Sequence, residues 1–233
     1  MSLLVAEGLS RPGRLAETRL ALEPGTLTCL IGPNGSGKTS LLHALAGIGP
    51  RTGRVEIDGV DPRSLGPGER QRLLGFLPAS RDVKWPLAAR DVIALGGGDP
   101  ASIDLAVKAL DLGALADRRV DRLSTGERSR VLIARVLAAR PRVALLDEPV
   151  ANLDPLWQLK LLDLLHDGMR GADRALLLAI HDLDLAGTYA DRLIILDKGR
   201  IVADGEPGEL LRGPRIPEVF GVTKEGGTWR PAF

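Results

Sequence analysis

A glycine-rich octapeptide, Gly32-Pro33-Asn34-Gly35-Ser36-Gly37-Lys38-Thr39, is the segment of this chain best suited to chemistry. It fits the pattern G-x-x-x-x-G-K-[ST], with the apolar run 26–31 before it and the helix-forming stretch 40–46 behind it. Glycines let the backbone curl until its N–H groups converge, and converging N–H groups bind phosphate oxygens. The helix that opens behind the loop adds the positive end of its dipole. In that setting Lys38 reaches the β- and γ-phosphates of a nucleoside triphosphate and the Thr39 hydroxyl binds Mg²⁺. Residues 32–39, with Ser40 at the helix start, are the expected ATP-binding set.

Three further features could supply chemistry to such a loop. The run Val143-Ala144-Leu145-Leu146 ends in two carboxylates, Asp147 and Glu148. Strand alternation aims their side chains differently, so Asp147 suits the Mg²⁺ shell and Glu148 suits polarising a water. In Leu123-Ser124-Thr125-Gly126-Glu127, Ser124 and Glu127 form a capping box that predicts a helix start; read by itself this is a plain capped helix first, and an exposed set of N–H donors for an anion second. His181 follows the apolar run 175–180, at the carboxyl edge where strands present ligands. His43 and His166, on apolar-rich helices, read as structural.

The elements that must position these residues alternate. Buried strands are expected at 26–31, 143–146, 175–180 and 193–196, and helices at 40–46, 127–139, 156–167 and 183–189. Such alternation implies a mainly parallel sheet with helices on its faces. Residues 1–24 and 53–60 read instead as an antiparallel β-subdomain, and 82–122 as helical without a buried strand. The chain is 233 residues long with 44% hydrophobic content, enough for a core in one domain. Its net charge of +1 argues against a dedicated nucleic-acid binder. The single cysteine, Cys29, lies in an apolar run and reads as a buried thiol in a reducing compartment. The N-terminus lacks a signal-peptide pattern, and no apolar run reaches the ~18 residues of a membrane span. The expected location is the cytoplasm, or the cytoplasmic side of a membrane as a peripheral subunit held by a partner.

From about Leu4 to Pro207 the chain resembles ATP-binding-cassette (ABC) ATPase subunits. Residues 32–39 resemble the Walker A loop and 143–148 Walker B. Ser124, Thr125, Gly126 and Glu127, with the helix behind them, resemble the family signature. Residues 151–154 resemble the D-loop, with Asp154 at its end, and His181 stands at the place of the switch histidine. The resemblance implies an α/β P-loop NTPase (RecA-like) core with the antiparallel β-subdomain and an α-helical subdomain at about 79–140, all within one ABC ATPase domain spanning 1–233. It implies a head-to-tail homodimer in which the signature of one copy meets the ATP held by the other, with Asp154 at the interface. Glu148 would be the general base, His181 would hold the γ-phosphate and water, and Thr39 and Asp147 would hold Mg²⁺.

The chain departs from the family pattern at three places. Thr125 replaces a glycine of the signature. Ala79 stands where the family has a glutamine that helps bind Mg²⁺, which leaves Ser80 or water as substitutes. No aromatic residue lies at 10–14 to stack on adenine, where Arg11 offers a guanidinium plane. The stretch between Lys38 and Ser124 is too short for a long coiled coil, and a single cassette of this length resembles the motor of a bacterial importer. The segments 85–96 and 181–186 resemble the iron-siderophore, haem and cobalamin uptake group. The implied partners are integral membrane permease subunits, contacted near 79–96, and through them a periplasmic or surface substrate-binding protein. The alternatives are a soluble ABC ATPase without a permease, or a weakly hydrolysing regulatory nucleotide binder. The cargo is not written in this chain.

Overall fold

The computed structural model of the chain describes residues 2–83 and 85–232. Strands β1 (Leu4–Arg11) and β2 (Leu15–Leu22) form an opening hairpin. Leu4, Ala6 and Leu9 of β1 point inward. Their spacing breaks strict alternation where the register slips between Ala6 and Leu9, the mark of a bulge. Strand β3 (Leu27–Ile31) is buried at every position, as a central strand covered on both faces must be. It runs into the glycine-rich loop and then into helix α1 (Lys38–Leu45). Strand β4 (Thr52–Ile57) returns to β1 and completes a three-stranded antiparallel sheet in the order β2-β1-β4.

Helix α2 (Pro67–Leu73) starts on a proline, where the missing N–H costs nothing, and leads straight into β5 (Leu74–Leu77). Helices α3 (Ala89–Ala94), α4 (Pro100–Ala109) and α5 (Thr125–Ala138) pack on one another. Then come β6 (Val143–Asp147), α6 (Pro155–Asp167), β7 (Ala175–Ala179), α7 (Leu183–Tyr189), β8 (Arg192–Asp197) and β9 (Arg200–Gly205). The chain closes with α8 (Pro207–Arg212), α9 (Arg215–Phe220) and the hairpin β10 (Val222–Glu225) and β11 (Thr228–Pro231).

The central sheet runs β5-β6-β7-β3-β8-β9, parallel except for β9 at one edge. Successive residues of β3 serve opposite cores. Leu27, Cys29 and Ile31 face the side carrying α3 to α7, whereas Leu30 faces α1 and the antiparallel sheet. Parallel strands send their carboxyl ends to one edge, so the loops after β3, β6 and β7 must meet there. The fold is the expected α/β class. Strands β5 and β9 are additions to the strands expected from the sequence, and the tail beyond Gly205, for which the sequence carries no expectation, forms two helices and a hairpin. Among the described residues no helix is long and apolar enough to cross a membrane.

Candidate functional site

The loop after β3 is built by tight backbone packing. A β-carbon on Gly32 would lie 2.3 Å from the Leu196 carbonyl oxygen and 2.5 Å from Ser36 Oγ. Gly37 adopts φ 106, a region that L side chains rarely enter, and hands over to α1. The Ser36 carbonyl accepts from Gly199 N at 2.7 Å, which fastens the loop to the turn between β8 and β9. Lys38 is buried, and its ammonium donates to the carbonyls of Gly32 at 2.7 Å and Pro33 at 3.2 Å. Burial pulls its pKa below the ordinary lysine value, while Glu148 and Asp147 pull the other way. Thr39 is exposed and Ser40 half-buried, one turn into the same helix start. A cavity of ≈ 610 Å³ opens over this loop, bordered by Asn34, Gly35, Gly37 to Ser40, Glu148 and His181.

The carboxylates arrive from β6. Asp147 is fully buried, and neither of its carboxylate oxygens has a hydrogen-bond partner. Burial pushes its pKa up; the Thr39 hydroxyl beside it opposes the shift, without completing a hydrogen bond of ordinary geometry. A fully buried, unpartnered carboxylate next to a hydroxyl is a hard-oxygen pair that suits Mg²⁺. Among the described residues no three His, Cys, Asp or Glu side chains cluster into a metal cage. Glu148 follows with a positive φ of 51, in the left-handed region. Its Oε1 lies 2.5 Å from His181 Nε2. Two strands that are neighbours in the sheet, β6 and β7, thus deliver an acid and an imidazole to one rim of the cavity.

Ser124, Thr125, Gly126 and Glu127 lie elsewhere. They start α5 with both arms of a capping box: Glu127 N donates to Ser124 Oγ at 3.3 Å and Ser124 N donates to Glu127 Oε2 at 2.8 Å. The Ser124 backbone N–H, and after it the Ser124 hydroxyl, hold the Glu127 carboxyl below its usual range. Asp154 caps α6 by accepting from Trp157 N at 3.0 Å. Ser124, Gly126, Glu127 and Asp154 border a separate concavity that shares no residue with the one over the glycine-rich loop. Within one chain these groups do not join Lys38 and Glu148. His43 stacks edge-on against Phe76 and His166 against Tyr189, structural settings for both.

Three features escape sequence reasoning. Arg11 points toward Gly49 and does not border the cavity, where Gly13, Arg14 and Leu15 stand instead. Lys198 and Gly199 form part of the same wall, 160 residue positions beyond the loop they face, with only the positive φ of both to signal a tight turn. Ala79 and Ser80 are exposed, while Arg81 is buried against the end of β6.

Residues 15–151 match the family described as ABC transporter. The hemin import ATP-binding protein HmuV of Bordetella avium is 40% identical over 225 residues, covering 89% of this chain and 86% of that protein. The cobalamin import ATP-binding protein BtuD of Halobacterium salinarum is 36% identical, covering 92% of this chain and 56% of its own longer sequence. Among solved structures, cbiO1 from Clostridium perfringens, part of the ABC transporter complex cbiONQ, aligns with a TM-score of 0.74 at 25% identity over 93% of this chain and 95% of that one.

Proposed function

This chain belongs to the ABC transporter family, and from that premise we propose that it is the ATP-hydrolysing subunit of an importer that works from the cytoplasmic face of a membrane. Its substrates are ATP and water, and its closure drives a permease. The cargo is of the class that the named relatives import, hemin or cobalamin, or the related iron-siderophores. The observation that carries this reading is the convergence of Lys38, Glu148 and His181 on one cavity, with Glu148 and His181 at 2.5 Å.

In this reading the N–H groups of residues 32–40 cradle the phosphates, and Lys38 exchanges its two loop carbonyls for phosphate oxygens. Thr39 and Asp147 would hold Mg²⁺, which neutralises phosphate charge when bound. Glu148 accepts the proton of the attacking water, and His181, on its other side, orients that carboxylate and the water. Such groups act by positioning and charge, which phosphoryl transfer chiefly requires. Ser124, Thr125, Gly126 and Glu127 of a second copy cover the γ-phosphate, with Asp154 at the seam. A homodimer is the simplest arrangement that brings the exposed start of α5 to a loop it cannot reach within its own chain. Residues 79–140 act as the helical subdomain, and the exposed Trp85 and Leu87 border the surface offered to the permease. A substrate-binding protein joins through the permease.

The test is steady-state ATPase measurement on the purified chain, alone and after co-expression with membrane subunits encoded beside it. Magnesium-dependent turnover that Lys38→Ala abolishes, together with co-purification of those subunits, is expected. Turnover with no membrane subunit co-purifying points to the soluble ATPase, and ATP binding without turnover to the regulatory binder.

A further inference from the structure

Arg81 is an unusual residue to find inside this molecule. It sits in the irregular segment after β5, between the exposed Ala79 and Ser80 and the α3 helix, yet it is only 5% exposed. Burying a guanidinium is costly unless its charge and its N–H groups are answered. Register explains where it goes. Strands β5 and β6 run in parallel with Leu77 opposite Leu146, so the chain leaving β5 passes beside Asp147 and Glu148. There Arg81 Nη2 donates to the carbonyl oxygen of Asp147 at 3.0 Å and to that of Glu148 at 3.1 Å. From the other flank Glu148 N donates to the Ala179 carbonyl of β7 at 3.1 Å. The Glu148 backbone, in a left-handed conformation, is therefore held from β7 on one side and by Arg81 on the other. Nε and Nη1 of Arg81 have no partner, as neither has the carboxylate of Asp147. The positive charge is raised in cost by burial and offset by the charges of Asp147 and Glu148.

We propose that Arg81 is a positioning residue for ATP hydrolysis: it clamps the backbone of Asp147 and Glu148 and supplies a buried positive charge beside their carboxylates. The proposal rests on the ATP-site reading given above. Its consequence is twofold. The clamp fixes the direction in which Glu148 presents its carboxylate, so its loss lowers kcat more than it raises KM. The charge makes the site less negative, so it favours nucleotide even without Mg²⁺.

The experiment compares wild type with Arg81→Ala, Arg81→Gln and Arg81→Lys. It measures kcat and KM for ATP, and the affinity for a fluorescent ATP analogue with Mg²⁺ and with EDTA. Expected for Arg81→Ala and Arg81→Gln is a kcat lowered at least tenfold with KM changed less than threefold. The ratio of the EDTA dissociation constant to the Mg²⁺ one should rise about fivefold or more, the effect of one lost charge at short range in a partly buried site. Arg81→Lys, which keeps a charge and donors, should return that ratio to within twofold of wild type and recover part of kcat. If Arg81→Ala does not fold, the Gln and Lys pair carries the same comparison. A kcat within twofold of wild type in Arg81→Gln, or an affinity ratio that does not separate Gln from Lys, overturns the proposal. If wild type itself neither binds the analogue nor hydrolyses ATP, the ATP-site reading fails, a result distinguishable from both.

Discussion

Asp147→Asn separates what this site needs for its fold from what it needs for its chemistry. The carboxylate is fully buried and both of its oxygens lack partners. Burial raises its pKa above the ordinary 3.8, so the ionised form is less welcome in the folded protein than in the unfolded chain. A group raised in this way contributes stability below its unfolded pKa, and that contribution is lost as pH rises through the folded value. Keeping this group ionised therefore costs the folded protein stability. An unsatisfied buried polar group costs about 1–3 kcal/mol, and more when charged; asparagine removes the charge but leaves the amide unpartnered, so a gain of about 1–2 kcal/mol is expected. For a domain of this size that is roughly 2–8 °C in Tm. The assay is thermal unfolding of the nucleotide-free protein across pH 4.5 to 7.5, with and without Mg²⁺ and ATP. The Asn variant should melt higher than wild type at pH 7.5, and the difference should shrink toward pH 4.5. It should also lose the extra stabilisation that Mg²⁺ adds to ATP in wild type. A lower Tm at pH 7.5, or a gap that does not change with pH, refutes the reasoning from burial.

Other expected outcomes follow from single contacts. Lys38→Ala removes the ammonium that bridges Gly32 and Pro33, and isothermal titration should then detect no ATP binding. Gly32→Ala places a methyl 2.3 Å from the Leu196 carbonyl, and urea unfolding should show a loss of about 1–3 kcal/mol from overpacking. Ser124→Ala deletes the α5 cap, with a stability loss of about 1 kcal/mol by denaturation. It should also cut turnover while leaving the affinity of the isolated chain for ATP unchanged, because Ser124 borders a different concavity from the glycine-rich loop.

What could be read in the sequence was what local chemistry determines. The largely apolar runs of β3, β6 and β7 announce strands buried on both faces, and the Ser124 to Glu127 pattern announces the start of α5. Strand β5 is harder to see, because Leu74-Gly75-Phe76-Leu77 has only four residues, one of them a glycine, directly behind a helix. Gly75 is there because a β-carbon would lie 2.8 Å from Pro141 and from Val136, contacts distant in sequence. The tail from Gly205 is full of Gly and Pro, yet its Lys224 and Trp229 both bond the Asp184 carboxylate on α7, a tertiary contact with no local signal. Arg11 and Arg14 are equivalent by type. The turn between β1 and β2 decides that Arg14 borders the cavity. Arg81 was invisible for the same reason: a lone arginine in a loop reads as solvated until strand register carries it beneath Asp147 and Glu148.

The central claim is that Glu148 is the base of an ATPase whose site is completed by a second copy. Glu148→Gln keeps the shape of the side chain beside His181 and removes its proton-accepting charge. Turnover and mass in solution should be measured together on that variant with Mg²⁺ and ATP. The account predicts ATP binding retained, turnover lowered by at least about 100-fold, and conversion of the 24.8 kDa chain to a species of twice that mass. Near-normal turnover, or ATP bound to a chain that stays monomeric at every concentration, would contradict it.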